Sequence, residues 1–321
     1  MVRPRRQVPV SPTLLELLPS WELSLQAGHK SPGTIRSYLD SVRGLSAFLI
    51  DGGMRADAEG VSSEEIRAFL ARSLEVSSPG NAHKHFRNLR VFFGWLVAEG
   101  ERAEGSPLAE VEPPKVDRKP VRPLTEQEQA RLLAVCAGDS WIDRRDTAIM
   151  RILMDNGMRV SALAGLRYSA SDPEANDVWL GRHVLRIILE GGDVYLAPLG
   201  RKSAAAVDRY LRARTRLRHA SSPWLWLPER GVTAHGGDRR LTATGIQQML
   251  HRRGEEAGIP GVFPHRFRHT MASGYLREGG DPLNLMRVGG WKSPVMARHY
   301  AETAGTEALA EHARLSPGDR I

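Results

Sequence analysis

Residues 264–300 read PHRFRHTMASGYLREGGDPLNLMRVGGWKSPVMARHY, and the fold is decided there. Proline at the front followed by Phe267, Met271 and Tyr275 at four-residue steps predicts a helix with one buried face. His265 and Arg268 then share another face, because positions three apart are neighbours on a helix surface. Gly279-Gly280 ends this helix, and Asp281-Pro282 caps and starts the next. Ser293-Pro294 repeats the start signal and places Tyr300 on a further short helix, with Trp291 between the two. Singly, each polar residue reads as ordinary structure: a core histidine, a surface arginine, a packed tyrosine.

The ordered set carries more, because an upstream segment, NGMRVSALAGL, supplies Arg159 directly after a helix-ending glycine. Together these motifs resemble the tyrosine recombinase (phage integrase) family. In that family a G-[LM]-R-x-S-E-L-x-x-L motif is followed by a hairpin lysine, H-x-L-R-H-T, G-[HW]-x-S and a nucleophilic tyrosine. The resemblance implies a mainly α fold with a small β-hairpin or sheet in its C-terminal domain. It also implies two domains, a helical core-binding domain and an α+β catalytic domain that together grip double-stranded DNA. On this chain it implies Tyr300 as nucleophile, Arg159 and Arg268 as phosphoryl clamps, and His265 as a clamp that also handles a proton. Trp291 stands where many relatives have His, and its indole N–H can donate to an oxygen.

Composition agrees with two domains and a polyanionic partner. The chain has 321 residues, too many for one ordinary core, and 41% of them are hydrophobic. The net charge of +8 and a pI of about 10.0 favour a polyanionic partner. A single cysteine, Cys136, excludes an intrachain disulfide and a cysteine metal cluster. No apolar run is long enough to span a membrane, and the basic opening lacks a secretory core, so a cytoplasmic protein is expected.

Residues 1–12 read as a basic mobile arm. Residues 13–105 read as the helical core-binding domain, with start signals at Ser31-Pro32, at the capping box Ser62/Glu65 and at Ser78-Pro79. The fourth helix buries Phe86, Leu89, Phe93, Leu96 and Val97. Its other side carries His83, Lys84, Arg87 and Arg90, which is a solvated face by itself and, given the resemblance, a DNA-contacting one. Arginines there fix position on phosphates rather than read sequence. Residues 106–123 are a proline-rich linker, and 124–321 the catalytic domain, opened by a second capping box, Thr125/Glu128.

Within that domain, 146–154 is a helix ended by Gly157. Residues 183–189 and 194–199 form a hairpin around a turn at 190–193. Residues 203–218 are a basic helix, 224–227 a short buried strand and 235–240 a flexible loop. Residues 242–257 form a helix with Ile246, Met249 and Leu250 inward. Its Gln247, Gln248, His251, Arg252 and Arg253 are candidates for a major-groove contact. Thr306–Leu315 is a last amphipathic helix, which in the family docks on a neighbouring protomer of a homotetramer.

Two positions depart from the family pattern. Ala197-Pro198-Leu199 matches the V-P-L that follows the hairpin lysine, yet the lysine's position is Glu190, and no lysine occurs between Lys119 and Lys202. A raised Glu190, Lys202 or Arg201 are the candidates to replace it as the acid that protonates the leaving 5′ oxygen. Ala162 stands where the family has an acidic residue supporting the clamp. The expected reaction is site-specific recombination through a 3′-phosphotyrosyl bond, which stores the bond energy and so uses neither metal nor other cofactor. Two other readings remain open: a cleavage-impaired DNA-binding protein on the same scaffold, and a type IB topoisomerase-like relaxase.

Overall fold

The computed structural model describes residues 11–116, 121–172, 174–188, 192–229 and 240–291. The chain divides into two compact units, Met1–Lys119 and Pro120–Ile321. Residues 1–10 of the expected arm at 1–12, the turn residues 190 and 191, residues 235–239 of the expected loop at 235–240 and everything from 292 onward lie outside the described residues. These include Glu190, Tyr300 and the helix at 306–315. Ser11 and Pro12 accept hydrogen bonds from Glu59 N and Ala58 N and so join the first unit.

The first unit is helical: α1 (Leu18–Ala27), α2 (Pro32–Asp51), α3 (Ser63–Val76) and α4 (Pro79–Ala98). Its helix starts are those that the sequence signals. Ser31 and Ser78 accept hydrogen bonds from Thr34 N and Asn81 N, with proline in the first turn, and Ser62 and Glu65 form a reciprocal capping box. Each such cap is worth about 1 kcal/mol. Around them Trp21, Val42, Leu45, Leu49, Ile66, Leu89 and Phe93 make a dry core.

One core residue of α4 differs from the pattern. Val97 is exposed, whereas Phe92 is fully buried and lies 4.7 Å from the Trp21 ring. The helix is covered on a broader arc than one stripe predicts, because α1 packs beside it as well as α2 and α3. A buried polar pair stitches α2 to α4: Asn88 Nδ2 donates to Ser41 Oγ at 2.9 Å and Ser37 O at 2.9 Å. Leu108 and Val111, in the proline-rich stretch, pack into this same core.

The second unit runs α5 (Glu126–Ala134), α6 (Trp141–Asn156), α7 (Val160–Ala164), β1 (Val178–Trp179), a 3-10 turn, β2 (Val184–Ile188), β3 (Val194–Pro198), α8 (Arg201–Arg214), α9 (Ala243–Glu256), α10 (Pro264–Arg277) and α11 (Pro282–Gly289). The strands form one antiparallel sheet in the order β1-β2-β3, with Ile187 opposite Tyr195 and Val184 opposite Pro198. The central helix is α6, which packs on α8 and α10 and buries Ile149, Met150, Ile152 and Leu153 completely.

Several elements depart from the sequence reading. Ser140 caps α6, so it starts at Trp141 and carries Asp146 inside the core. There Arg145 donates to Asp146 Oδ1 from Nε (2.9 Å) and Nη2 (2.8 Å), and Arg253 Nε donates to Oδ2 at 3.0 Å. Arg253 also reaches Asp143 at 2.7 Å and Glu256 at 2.9 Å. Arg253 therefore faces the core and not a DNA groove; buried charges persist when paired and fully hydrogen-bonded.

Helix α8 stops at Arg214, whose buried guanidinium donates to the carbonyls of Ala220, Ser222 and Trp224 and so folds the following turn. In place of a strand at 224–227 there is one bridge, Trp224 to Arg167, and Leu225, Trp226 and Leu227 are all buried. Cys136 lies between α5 and α6, 3% exposed, and burial pushes its thiol up to about 12. Among the described residues no helix is long and apolar enough to cross a membrane.

Candidate active site

Three segments converge in the second unit: the α6–α7 junction, strand β3, and α10 with the end of α11. The junction is built on Gly157, which ends α6 in the left-handed region at φ +54°. Its carbonyl accepts a 2.8 Å hydrogen bond from Arg268 Nη1, and a Cβ on it would sit 2.9 Å from Arg268 Cα. Asn156, fully buried, donates to Pro198 O at 3.2 Å and accepts from Met158 N at 3.2 Å. Asp155 accepts from Gly200 N at 2.7 Å. The loop that presents Arg159 is thereby fixed both to α10 and to the end of β3.

Arg159 is the N-cap of α7 and is exposed. His265 and Arg268 lie in the first turns of α10, whose apolar face buries Phe267 and Met271 as the spacing predicts. Arg268 is 5% exposed and lies under the Trp291 ring, its Cζ 4.5 Å from the centroid. Trp291 thus uses its π face on the clamp; a desolvated contact of this kind is worth about 2 kcal/mol. Trp291 is itself held by Met271, Ala272 and Leu285. Ala162 packs on the core, and a carbonyl and an indole contact Arg268.

The two guanidiniums act on common neighbours. His265 is held below the ordinary imidazole value, first by burial and then by the charges of Arg268 and Arg159. Tyr195 on β3 is pushed up by burial, against the lowering effect of the same two arginines. The site therefore holds two cations beside an imidazole that is harder to protonate, and suits an anionic phosphoryl group approached by two planar donor forks. The structure brings the expected Arg159, His265, Arg268 and Trp291 to one place and adds Asn156 and Tyr195, which the sequence reading did not single out. An Asn before Gly at a helix end is a signal for the first; for Tyr195 only its alternation with Ala197 was available.

Two expected outcomes follow. Gly157→Ala forces a side chain into left-handed backbone, at about 1–2 kcal/mol, and drives its Cβ onto the Arg268 backbone. Its thermal midpoint should fall by several degrees, and an unchanged melt would refute the tight junction. The lowered His265 value means that the unfolded chain takes up the proton first as pH drops. Stability therefore falls from the ordinary value near 6.5 downward, towards the lower folded value. NMR titration should place the His265 midpoint below that of a free imidazole and raise it in Arg159→Ala; a midpoint unmoved by that change would show that the arginine is not close enough to act.

The predicted DNA contacts occupy exposed faces: Lys84, Arg87 and Arg90 on α4, Lys202 in the first turn of α8, and Gln247, His251 and Arg252 on α9. His83 leaves the α4 stripe, because its Nδ1 lies 3.0 Å from Pro114 O. On α9, His251 pairs with Glu255 at 3.4 Å and Arg252 with Glu256 at 3.9 Å.

The family model for the phage integrase family matches residues 122–307. Tyrosine recombinase XerC of Corynebacterium efficiens is 27% identical over 290 residues, covering 90% of this chain and 86% of its own. XerC of Mycobacterium tuberculosis is 29% identical over 305 residues, covering 92% and 96%. In fold, a lambda integrase tetramer bound to a Holliday junction matches with a TM-score of 0.68 at 19% identity, covering 91% of this chain and 78% of that one. The Tn1549 transposon integrase in complex with transposon right end DNA also gives 0.68, at 18% identity, covering 95% and 100%. With most of its second unit matched by that family model, this chain belongs to the phage integrase family, the tyrosine-type site-specific recombinases that cleave and rejoin DNA.

Proposed function

We propose that Tyr300 attacks a phosphodiester of duplex DNA and forms a 3′-phosphotyrosyl bond, with Arg159 and Arg268 on the non-bridging oxygens. The observation that carries this reading is the junction at which Arg268, under the Trp291 ring, bonds the Gly157 carbonyl two residues before Arg159, inside the segment that the family model matches. A neutral imidazole can accept the nucleophile's proton, and fixed cations stabilise the charge that develops on a five-coordinate phosphorus. A 5′-hydroxyl from a partner strand reverses the attack and completes exchange. Lys84, Arg87, Arg90, Lys202, Gln247, His251 and Arg252 supply the DNA contacts, and a homotetramer is the working assembly, in the cytoplasm. Support for the assembly is the lambda integrase tetramer of the same fold.

The test is a nicked suicide duplex, its sequence selected from a random pool by the full chain's own binding. A covalent adduct should accumulate. Tight binding with no adduct would make the chain a DNA-binding protein on this scaffold. Relaxation of supercoiled plasmids lacking the selected site would make it a relaxase.

A further inference from the structure

Expelling the 5′ oxygen requires a proton, and the groups already assigned do not supply it. The guanidiniums of Arg159 and Arg268 hold theirs too tightly. His265 is pushed below the ordinary imidazole value by burial and by those two charges, which favours it as a proton acceptor. An indole is a donor but not an acid at neutral pH.

Tyr195 stands in the same pocket. It pairs opposite Ile187 on the face of the hairpin that also carries buried Ala197, so its ring is turned inward. The end of the ring lies against Gly290: a Cβ there would be 3.0 Å from Tyr195 Cζ and 3.2 Å from its Oη. Gly290 closes α11 and precedes Trp291, the residue whose ring covers Arg268. The backbone of α11 thus pins the phenol beside the clamp.

A structural tyrosine in this unit looks different. Tyr210 donates to Leu225 O at 2.9 Å and accepts from Leu227 N at 3.1 Å. Among the described residues the Tyr195 hydroxyl makes no such bond, and those that act on it do so through burial and the charges of the two arginines.

We propose that Tyr195 is the general acid that protonates the leaving 5′ oxygen, a catalytic residue beside the Arg159–Arg268 clamp. The proposal rests on Tyr300 being the nucleophile, as argued above. In the step, a lone pair of the Tyr300 oxygen forms the O–P bond and its proton passes to His265. The P–O5′ bond breaks, its electron pair goes to the 5′ oxygen, and that oxygen takes the proton from Tyr195 Oη. The phenolate left behind is neutralised by the adjacent guanidiniums. Rejoining reverses each transfer: the attacking 5′-hydroxyl returns its proton to Tyr195, and His265 returns one to Tyr300. Burial keeps the resting phenol protonated, and a phenol remains far more acidic than the alcohol that it protonates.

The experiment compares the selected duplex with the same duplex carrying a 5′-bridging phosphorothiolate, whose sulfur leaves without protonation. Tyr195→Phe keeps the ring, so its melt and DNA affinity should match the wild type. Its cleavage of normal DNA should drop by about 10²- to 10⁴-fold, while the phosphorothiolate is cut at the wild-type rate. Equal losses on both substrates, or no loss on either, would overturn the assignment. So would the same selective pattern in Lys202→Ala or Glu190→Gln with Tyr195→Phe unaffected. Failure of the wild type to form an adduct with either duplex would instead remove the nucleophile reading and this proposal with it.

Discussion

Tyr300→Phe should bind the selected duplex like the wild type and form no covalent adduct at all. The change removes one oxygen and leaves the ring, so nothing that positions DNA is altered, whereas the bond-forming atom is gone. Electrophoresis under denaturing conditions separates adduct from complex directly. Adduct persisting in this variant would move the nucleophile elsewhere, and Tyr275, half-buried on α10, is the next hydroxyl to test.

Arg268→Ala should be the next most damaging change. Cleavage per bound complex should fall by about 10²- to 10³-fold, the usual cost of losing one donor aimed at developing charge. Affinity should change much less, because the proposed DNA contacts are exposed arginines and lysines elsewhere. The variant also leaves the Gly157 carbonyl without this donor and the Trp291 ring without its cation, so some thermal stability should be lost as well. Measuring single-turnover rate and dissociation constant together settles the matter: equal losses in both would reduce Arg268 to an ordinary phosphate anchor.

Local signals in the sequence were legible because they act over three or four residues. The caps at Ser31, Ser62, Ser78, Thr125 and Asp281 all form, since each needs only its own hydroxyl or carboxylate and the next turn. The hairpin likewise follows from two β-rich runs and a glycine turn. What escaped the reading depends on partners brought from far along the chain. Arg253 looks like a surface charge until Asp146, 107 positions away, meets it inside the core. The length of α8 is set by the carbonyls that capture Arg214, and those lie in a turn beyond the helix. Val97 and Phe92 trade places because α1 covers a second side of α4.

The site divides in the same way. Arg159, His265 and Arg268 were visible as motif residues, since the motif is recognised by their order and residue types. Tyr195 was not, because a tyrosine alternating along a short strand carries no mark of what its hydroxyl meets. Only the approach of Gly290, almost a hundred residues later, turns it into part of a pocket.

Cys136 gives the chain a built-in clock. It is the one thiol in 321 residues, and it is shut inside the catalytic unit in its protonated form, a poor nucleophile. A thiol reagent therefore attaches during the moments when the segments around Cys136 open and its sulfur is exposed. The rate of alkylation in the folded protein consequently counts those openings. The same rate taken with and without DNA reports how far the bound duplex tightens the catalytic unit, with no probe added to the chain.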